Sequence, residues 1–203
     1  MVISAVFVAI GRLLTGPLDG SVGDADRSVA EWFEGGRTPR SNDLSFWGSM
    51  LAETAVKVVL TAVVAAGMIA IWKRWNDALL VAIALVLEAS MFLTITLMVG
   101  RHRPDVTQLD SSPVDSSFPS GHVAAAVVYG AFAVIAARHA TKRRPVMLSV
   151  ITASTVSIIV AWARLYRGMH HPSDVVAGAL LGLVSIWVTW RVIRSAERRT
   201  RSF

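Results

Sequence analysis

Runs of apolar residues long enough to cross a bilayer recur along this chain, and they restrict the fold more than any other feature. Leu51–Trp72, Ala78–Val99, Val123–Ala137, Val146–Trp162 and Val175–Val192 each approach or exceed what a membrane-spanning helix needs, about 20 residues. The Pro119–His122 stretch lengthens the third of them. Met1–Leu14 is a sixth and shorter run, read as a retained first helix because it lacks the basic start and small-x-small site of a secretory signal. Composition agrees: 54% of the 203 residues are apolar and 17% are charged, against roughly a quarter charged in soluble domains. The expected fold is all-α, one membrane-embedded domain over 1–203 with about six transmembrane helices. Val29, Trp32 and Phe33 at helical spacing within the polar 16–50 stretch predict an amphipathic helix on the outer membrane surface, anchored by Trp32 and Trp47.

The net charge of +6 is distributed as a membrane protein distributes it. With alternating spans, one side collects Lys73, Arg74, Arg138, Lys142, Arg143, Arg144, Arg191, Arg194, Arg198, Arg199 and Arg201. The positive-inside rule makes that side cytoplasmic, the C-terminus with it, and the basic residues topology signals rather than a nucleic-acid patch. Cysteine is absent, which excludes disulfides and thiolate chemistry on this chain.

Three short polar islands interrupt the apolar runs: Arg103-Pro104, Pro119-Ser120-Gly121-His122, and Arg164 followed by His170 and Asp174. Alternation puts all three at the outer face, opposite the basic loops. Arg103 and Arg164 can each offer paired N–H donors to a phosphoryl group. Ser120 and the amides of Gly121 and His122 open a helix, where free N–H groups and the helix dipole favour an anion, and Gly121 lets the backbone come close. A carboxylate four residues after His170, at Asp174, can fix the imidazole tautomer and leave the other ring nitrogen as a nucleophile. His122 then suits protonation of the leaving oxygen and activation of water. A metal ion is not expected, since adjacent His170 and His171 diverge and no facing third ligand is evident. His171 reads as a rim residue, His102 and His139 as interfacial. The loop from His102 to Phe118, rich in Ser, Asp and Pro, is expected to be irregular and mobile.

In order and spacing these residues resemble the type 2 phosphatidic acid phosphatase superfamily, whose pattern is Lys-x6-Arg-Pro, then Pro-Ser-Gly-His, then Ser-Arg-x5-His-x3-Asp. The second motif is complete here, the third reads Ala163-Arg164 through His170 to Asp174, and the first supplies Arg103-Pro104 alone, a motif core of 96–174. The resemblance implies that His170 is the phosphorylated nucleophile, His122 the general acid and then base, and Asp174 the orienter. Arg103, Ser120, Gly121 and Arg164 would bind phosphate, with no cofactor and no metal. The implied activity is hydrolysis of a lipid phosphate or diphosphate (phosphatidic acid, phosphatidylglycerol phosphate or polyprenyl phosphate type) at the outer face of the cell membrane. Phosphotransfer to another acceptor, or an inactive lipid-binding relative, are the alternatives. Two positions depart from the pattern: the lysine position is Thr96, and the serine before the arginine is Ala163. Arg101 is the expected source of the missing charge. Lys57 is the second candidate, unless Glu53 or Glu88 holds it in an ion pair.

Overall fold

A computed structural model describes residues 2–112 and 114–200, the side chain of Thr200 excepted. Met1, Pro113 and Arg201, which entered the expectations above, lie outside the described residues. Nine α-helices and no strand are found among the described residues: α1 (Val2–Leu14), α2 (Asp24–Gly35), α3 (Pro39–Met50), α4 (Thr54–Ala70), α5 (Trp75–Val99), α6 (Gly121–Val128), α7 (Ala131–His139), α8 (Arg143–Tyr166) and α9 (Pro172–Thr200). A π-helical turn, Asp19–Gly23, leads into α2. The protein is thus all-helical, as composition demands.

Among the described residues, four segments are long and apolar enough to cross a membrane: α5, α6 with α7 (Gly121–His139), α8 and α9. The count reaches six only if two bent pairs each make one span, residues 2–14 with 19–35 (bent by 68°) and α3 with α4 (bent by 44°). The expected six is thus reached with the first two spans bent. Within the run Leu51–Trp72 the helix starts only at Thr54, because the chain breaks at Leu51–Glu53 with Glu53 in extended conformation. One carbonyl left over at that break is satisfied by the hydroxyl of Tyr129, which donates to the Leu51 oxygen at 2.8 Å. Polar residues before the break still form a regular helix: Thr38 caps α3 by accepting from the Ser41 amide at 3.2 Å, and Pro39 occupies its first turn.

α6 is the central helix, packed against α5, α8 and α9. Val123, Ala124, Ala125 and Ala126 are buried, so small side chains allow helices to close on it from several sides. α9 comes nearest through Gly178 and Gly182. A Cβ on Gly178 would stand 2.4 Å from the Ser120 carbonyl oxygen, and one on Gly182 would stand 2.5 Å from that of Ala124. This small-xxx-small contact is how membrane helices pack closely where lipid offers no hydrophobic drive. Elsewhere α8 and α9 turn Leu148, Ile151, Ile158, Leu183 and Trp187 outward, the surface a lipid environment accepts. α1 is built into the bundle: Phe7 and Leu14 are buried in a cluster with Ile95, Phe118 and Leu181.

Candidate active site

α5 ends at Gly100 in the left-handed region (φ 63°), which turns the chain out of the helix and into the 101–120 segment. That segment carries Arg101, Arg103 and the Pro-Ser-Gly-His island. α8 ends in Arg164 and Tyr166, and Gly168 (φ 69°) turns the chain toward His170 and α9. A Cβ on Gly168 would also stand 2.9 Å from the Thr107 carbonyl oxygen. These ends meet around a cavity of about 430 Å³, whose wall includes Arg103, Gly121, His122, Arg164 and His170 with Ser49, Glu53, Lys57, Phe92 and Asp110.

His170 is buried, and its Nδ1 lies 2.7 Å from the carbonyl oxygen of Ser117. A carbonyl only accepts, so Nδ1 carries the proton and Nε2 keeps its lone pair. Nε2 makes no hydrogen bond among the described residues. Burial, then the charges of Arg164 and Arg103, hold the imidazole well below its ordinary pKa, so it is neutral. His122, at the start of α6, places Nε2 3.2 Å from Glu53 Oε2. Arg164 donates to Ser49 Oγ and Asp110 Oδ2, each at 2.9 Å, and its buried Nε has no partner among the described residues. Arg103 is held by the carbonyl oxygens of Met169 (2.5 Å) and Val114 (3.0 Å) and by Ser112 Oγ (2.8 Å).

Three expected site residues stand behind this wall. Asp174 does not orient His170: one of its oxygens accepts from Arg101 at 2.6 Å and the other from the His171 amide at 2.8 Å. It thereby caps the start of α9 as the third residue of the helix, reaching back to the amide before Pro172. The Ser117 carbonyl performs the tautomer-fixing task instead. Arg101, expected in the phosphate pocket, is 5% exposed and spans Asp174 and Asp26, donating to Asp26 Oδ2 at 2.8 Å. It is absent from the cavity wall because two carboxylates hold it away. Ser120 donates its amide to the Asp174 carbonyl at 3.0 Å, while its buried Oγ has no partner. Gly121 does line the cavity, but its missing Cβ is first required by the Phe92 ring, 2.9 Å from where that atom would sit.

Other sequence expectations also change. Thr96 does not face the cavity; its hydroxyl donates to the Phe118 carbonyl at 3.1 Å. His171 is buried, not on the rim. His139 pairs with Asp77 at 2.6 Å. The 102–118 loop is irregular but tied down: Asp110 accepts from Arg167 Nε at 2.7 Å and Nη2 at 2.6 Å as well as from Arg164, and the Leu109 amide donates to the Arg167 carbonyl. Burial opposes the charge of Asp110, but the Arg167 hydrogen bonds and both guanidinium charges outweigh it and hold the carboxyl below its usual range. Sequence reasoning missed Asp110 and Ser49 and gave Glu53 only a pairing with Lys57. None belongs to a motif, and each reaches the cavity through packing alone. Among the described residues no group of three His, Asp or Glu side chains could hold a metal ion.

The cavity wall thus brings together two imidazoles and two guanidinium groups, with Glu53, Lys57 and Asp110 as further charged side chains. That arrangement can attack a phosphoryl group, hold its oxygens and protonate a leaving oxygen.

A sequence model of the PAP2 superfamily matches residues 77–198. The chain is 29% identical over 170 residues to phosphatidylglycerophosphatase B of Bacillus subtilis (strain 168), covering 81% of both chains. It is 25% identical over 124 residues to the putative undecaprenyl-diphosphatase YbjG of Escherichia coli (strain K12), covering 57% of this chain and 59% of that one. Its fold is similar to the crystal structure of a transmembrane PAP2 type phosphatidylglycerolphosphate phosphatase from Bacillus subtilis, with a TM-score of 0.83 over 96% of this chain and 98% of the other at 24% identity. LpxE of Aquifex aeolicus shares the fold at a TM-score of 0.61, over 81% and 93% of the two chains, at 21% identity. With the family model covering more than half of its length, the chain is a multi-pass membrane member of the PAP2 superfamily.

Proposed function

We propose that this PAP2 phosphatase hydrolyses a lipid phosphate or lipid diphosphate through a phosphohistidine on His170, at the extracytoplasmic face of the cell membrane. The observation that carries the reading is that His170, with Nε2 free, shares one cavity with His122, Arg103 and Arg164. His170 Nε2 attacks phosphorus and the bond to the leaving oxygen breaks. His122 protonates that oxygen, then takes a proton from the water that cleaves the phosphorus–nitrogen bond and releases phosphate. Arg103, Arg164 and the Gly121 amide hold the equatorial oxygens, and Arg164 Nε, which has no partner among the described residues, is a donor in want of an acceptor. Arginine forks and backbone amides can neutralise a phosphoryl group without a metal.

Names of relatives support the substrate class: one is a phosphatidylglycerophosphatase, another a putative undecaprenyl-diphosphatase. Support for the orientation comes from Lys73, Arg74, Lys142, Arg143 and Arg144, which lie at the helix ends opposite the cavity. The test is phosphate release in detergent, with chelator present, from phosphatidic acid, phosphatidylglycerol phosphate and polyprenyl mono- and diphosphates. Turnover that survives chelation and is lost in His170→Ala is the expected result. Strict dependence on added metal, or an active His170→Ala enzyme, overturns the mechanism.

A further inference from the structure

Lys57 lies on α4, one turn after Glu53, among valines and leucines that face lipid. Its ammonium forms no ion pair and no hydrogen bond among the described residues. Neither acid expected to hold it does so: Glu53 is paired with His122, and both oxygens of the fully buried Glu88 lack a hydrogen-bond partner. The Lys57 charge acts on Glu88 only from beyond ion-pair distance, and a cation so placed in a membrane helix marks a function more often than a structural need. Lys57 lies on the wall of the reaction cavity, and its place there is asymmetric. It stands one turn along α4 from Glu53, the partner of His122, whereas Arg103 is held by the carbonyl of Met169, the residue before His170. The reacting phosphoryl group belongs beside His170 and the two arginines; the leaving group belongs beside His122.

Resting on the reading that His122 protonates the leaving group, we infer that Lys57 binds a second anionic phosphate carried by that leaving group. The site therefore selects substrates such as lipid diphosphates and phosphatidylglycerol phosphate over monoesters whose leaving group is a neutral alcohol. Phosphatidic acid releases an uncharged glyceride and gives Lys57 nothing to hold. A polyprenyl diphosphate releases a polyprenyl monophosphate, and phosphatidylglycerol phosphate a phosphodiester. Each of these products keeps an anion within reach of the wall that carries Lys57.

Matched substrate pairs test this with the full-length enzyme in detergent: farnesyl diphosphate against farnesyl monophosphate, and phosphatidylglycerol phosphate against phosphatidic acid. Lys57→Met is expected to lower kcat/KM for the first member of each pair relative to the second by tenfold or more, and Lys57→Arg to restore most of that ratio. Equal losses on both members, or no loss on either, overturn the inference. If Lys57 serves only to offset the buried Glu88, then Lys57→Met lowers the thermal midpoint, leaves the ratio intact and is rescued by Glu88→Gln. That result also overturns it. A wild-type enzyme inert toward all four substrates removes the lipid phosphatase reading itself, so the two failures are distinguishable.

Discussion

Two clusters of buried polar side chains lie side by side at the motif end of this bundle, and they differ in what they leave open. Behind the cavity, Asp26, Arg101, Ser173 and Asp174 form a closed set in which each carboxylate oxygen has a donor. On the cavity wall, His170 Nε2, Arg164 Nε and the Lys57 ammonium make no hydrogen bond among the described residues. Motif residues fall in both clusters, so belonging to a motif does not tell whether a side chain meets substrate. Asp26 and Arg101, outside the motifs, complete the closed set. Polar groups satisfied by one another fix the ends of helices, and those left unsatisfied inside a cavity are poised for a ligand.

If the comparison is right, substitutions in the two clusters fail differently. His170→Ala removes the nucleophile and is expected to lower phosphate release by about a thousandfold or more, with secondary structure by circular dichroism unchanged. Arg101→Ala leaves Asp26 and Asp174 as uncompensated buried carboxylates, and breaking such a pair costs about 3–5 kcal/mol. Its expected signature is a large drop in thermal midpoint. An Arg101→Ala enzyme with unchanged stability and a selective loss of phosphate affinity would break the comparison, returning Arg101 to the pocket.

A pH experiment sharpens the open cluster. His170 has its folded pKa well below the ordinary 6.5, so the unfolded chain takes up a proton near that pH that the folded chain refuses. Its contribution to stability is therefore present above 6.5 and declines as pH falls below it. Nitrogen-15 NMR of labelled histidine should show His170 still neutral and protonated on Nδ1 at pH 6; a resonance titrating near 6.5 would contradict the assignment. The smallest effect belongs to the family's lysine position. Thr96→Val loses one hydrogen bond to the Phe118 carbonyl, worth about 1 kcal/mol, with little change in KM. A large rise in KM would mean that Thr96 serves the phosphate after all.

Apolar runs told where helices cross, because hydrocarbon tolerates little else. They did not tell that Leu51–Glu53 breaks its run, since nothing in those residues marks a break. The islands were legible as residue types at helix ends, and five of their members, Arg103, Gly121, His122, Arg164 and His170, do line one cavity. What could not be read was whatever depends on partners distant in sequence. A backbone carbonyl at Ser117 has no side-chain signature, yet it sets the tautomer of His170. Asp110 looked like one acid among several in a polar loop, and only the fold brings Arg164 and Arg167 to it. Asp26 reaches the α9 start from α2, where its charge read as one face of an amphipathic helix.

The most direct test is to trap the covalent intermediate by rapid quench with a radiolabelled lipid phosphate and identify the linkage. Because Nδ1 of His170 is committed to the Ser117 carbonyl, the account expects phosphate on Nε2 of His170, as 3-phosphohistidine. A 1-phosphohistidine at that position, or label on His122, would contradict it.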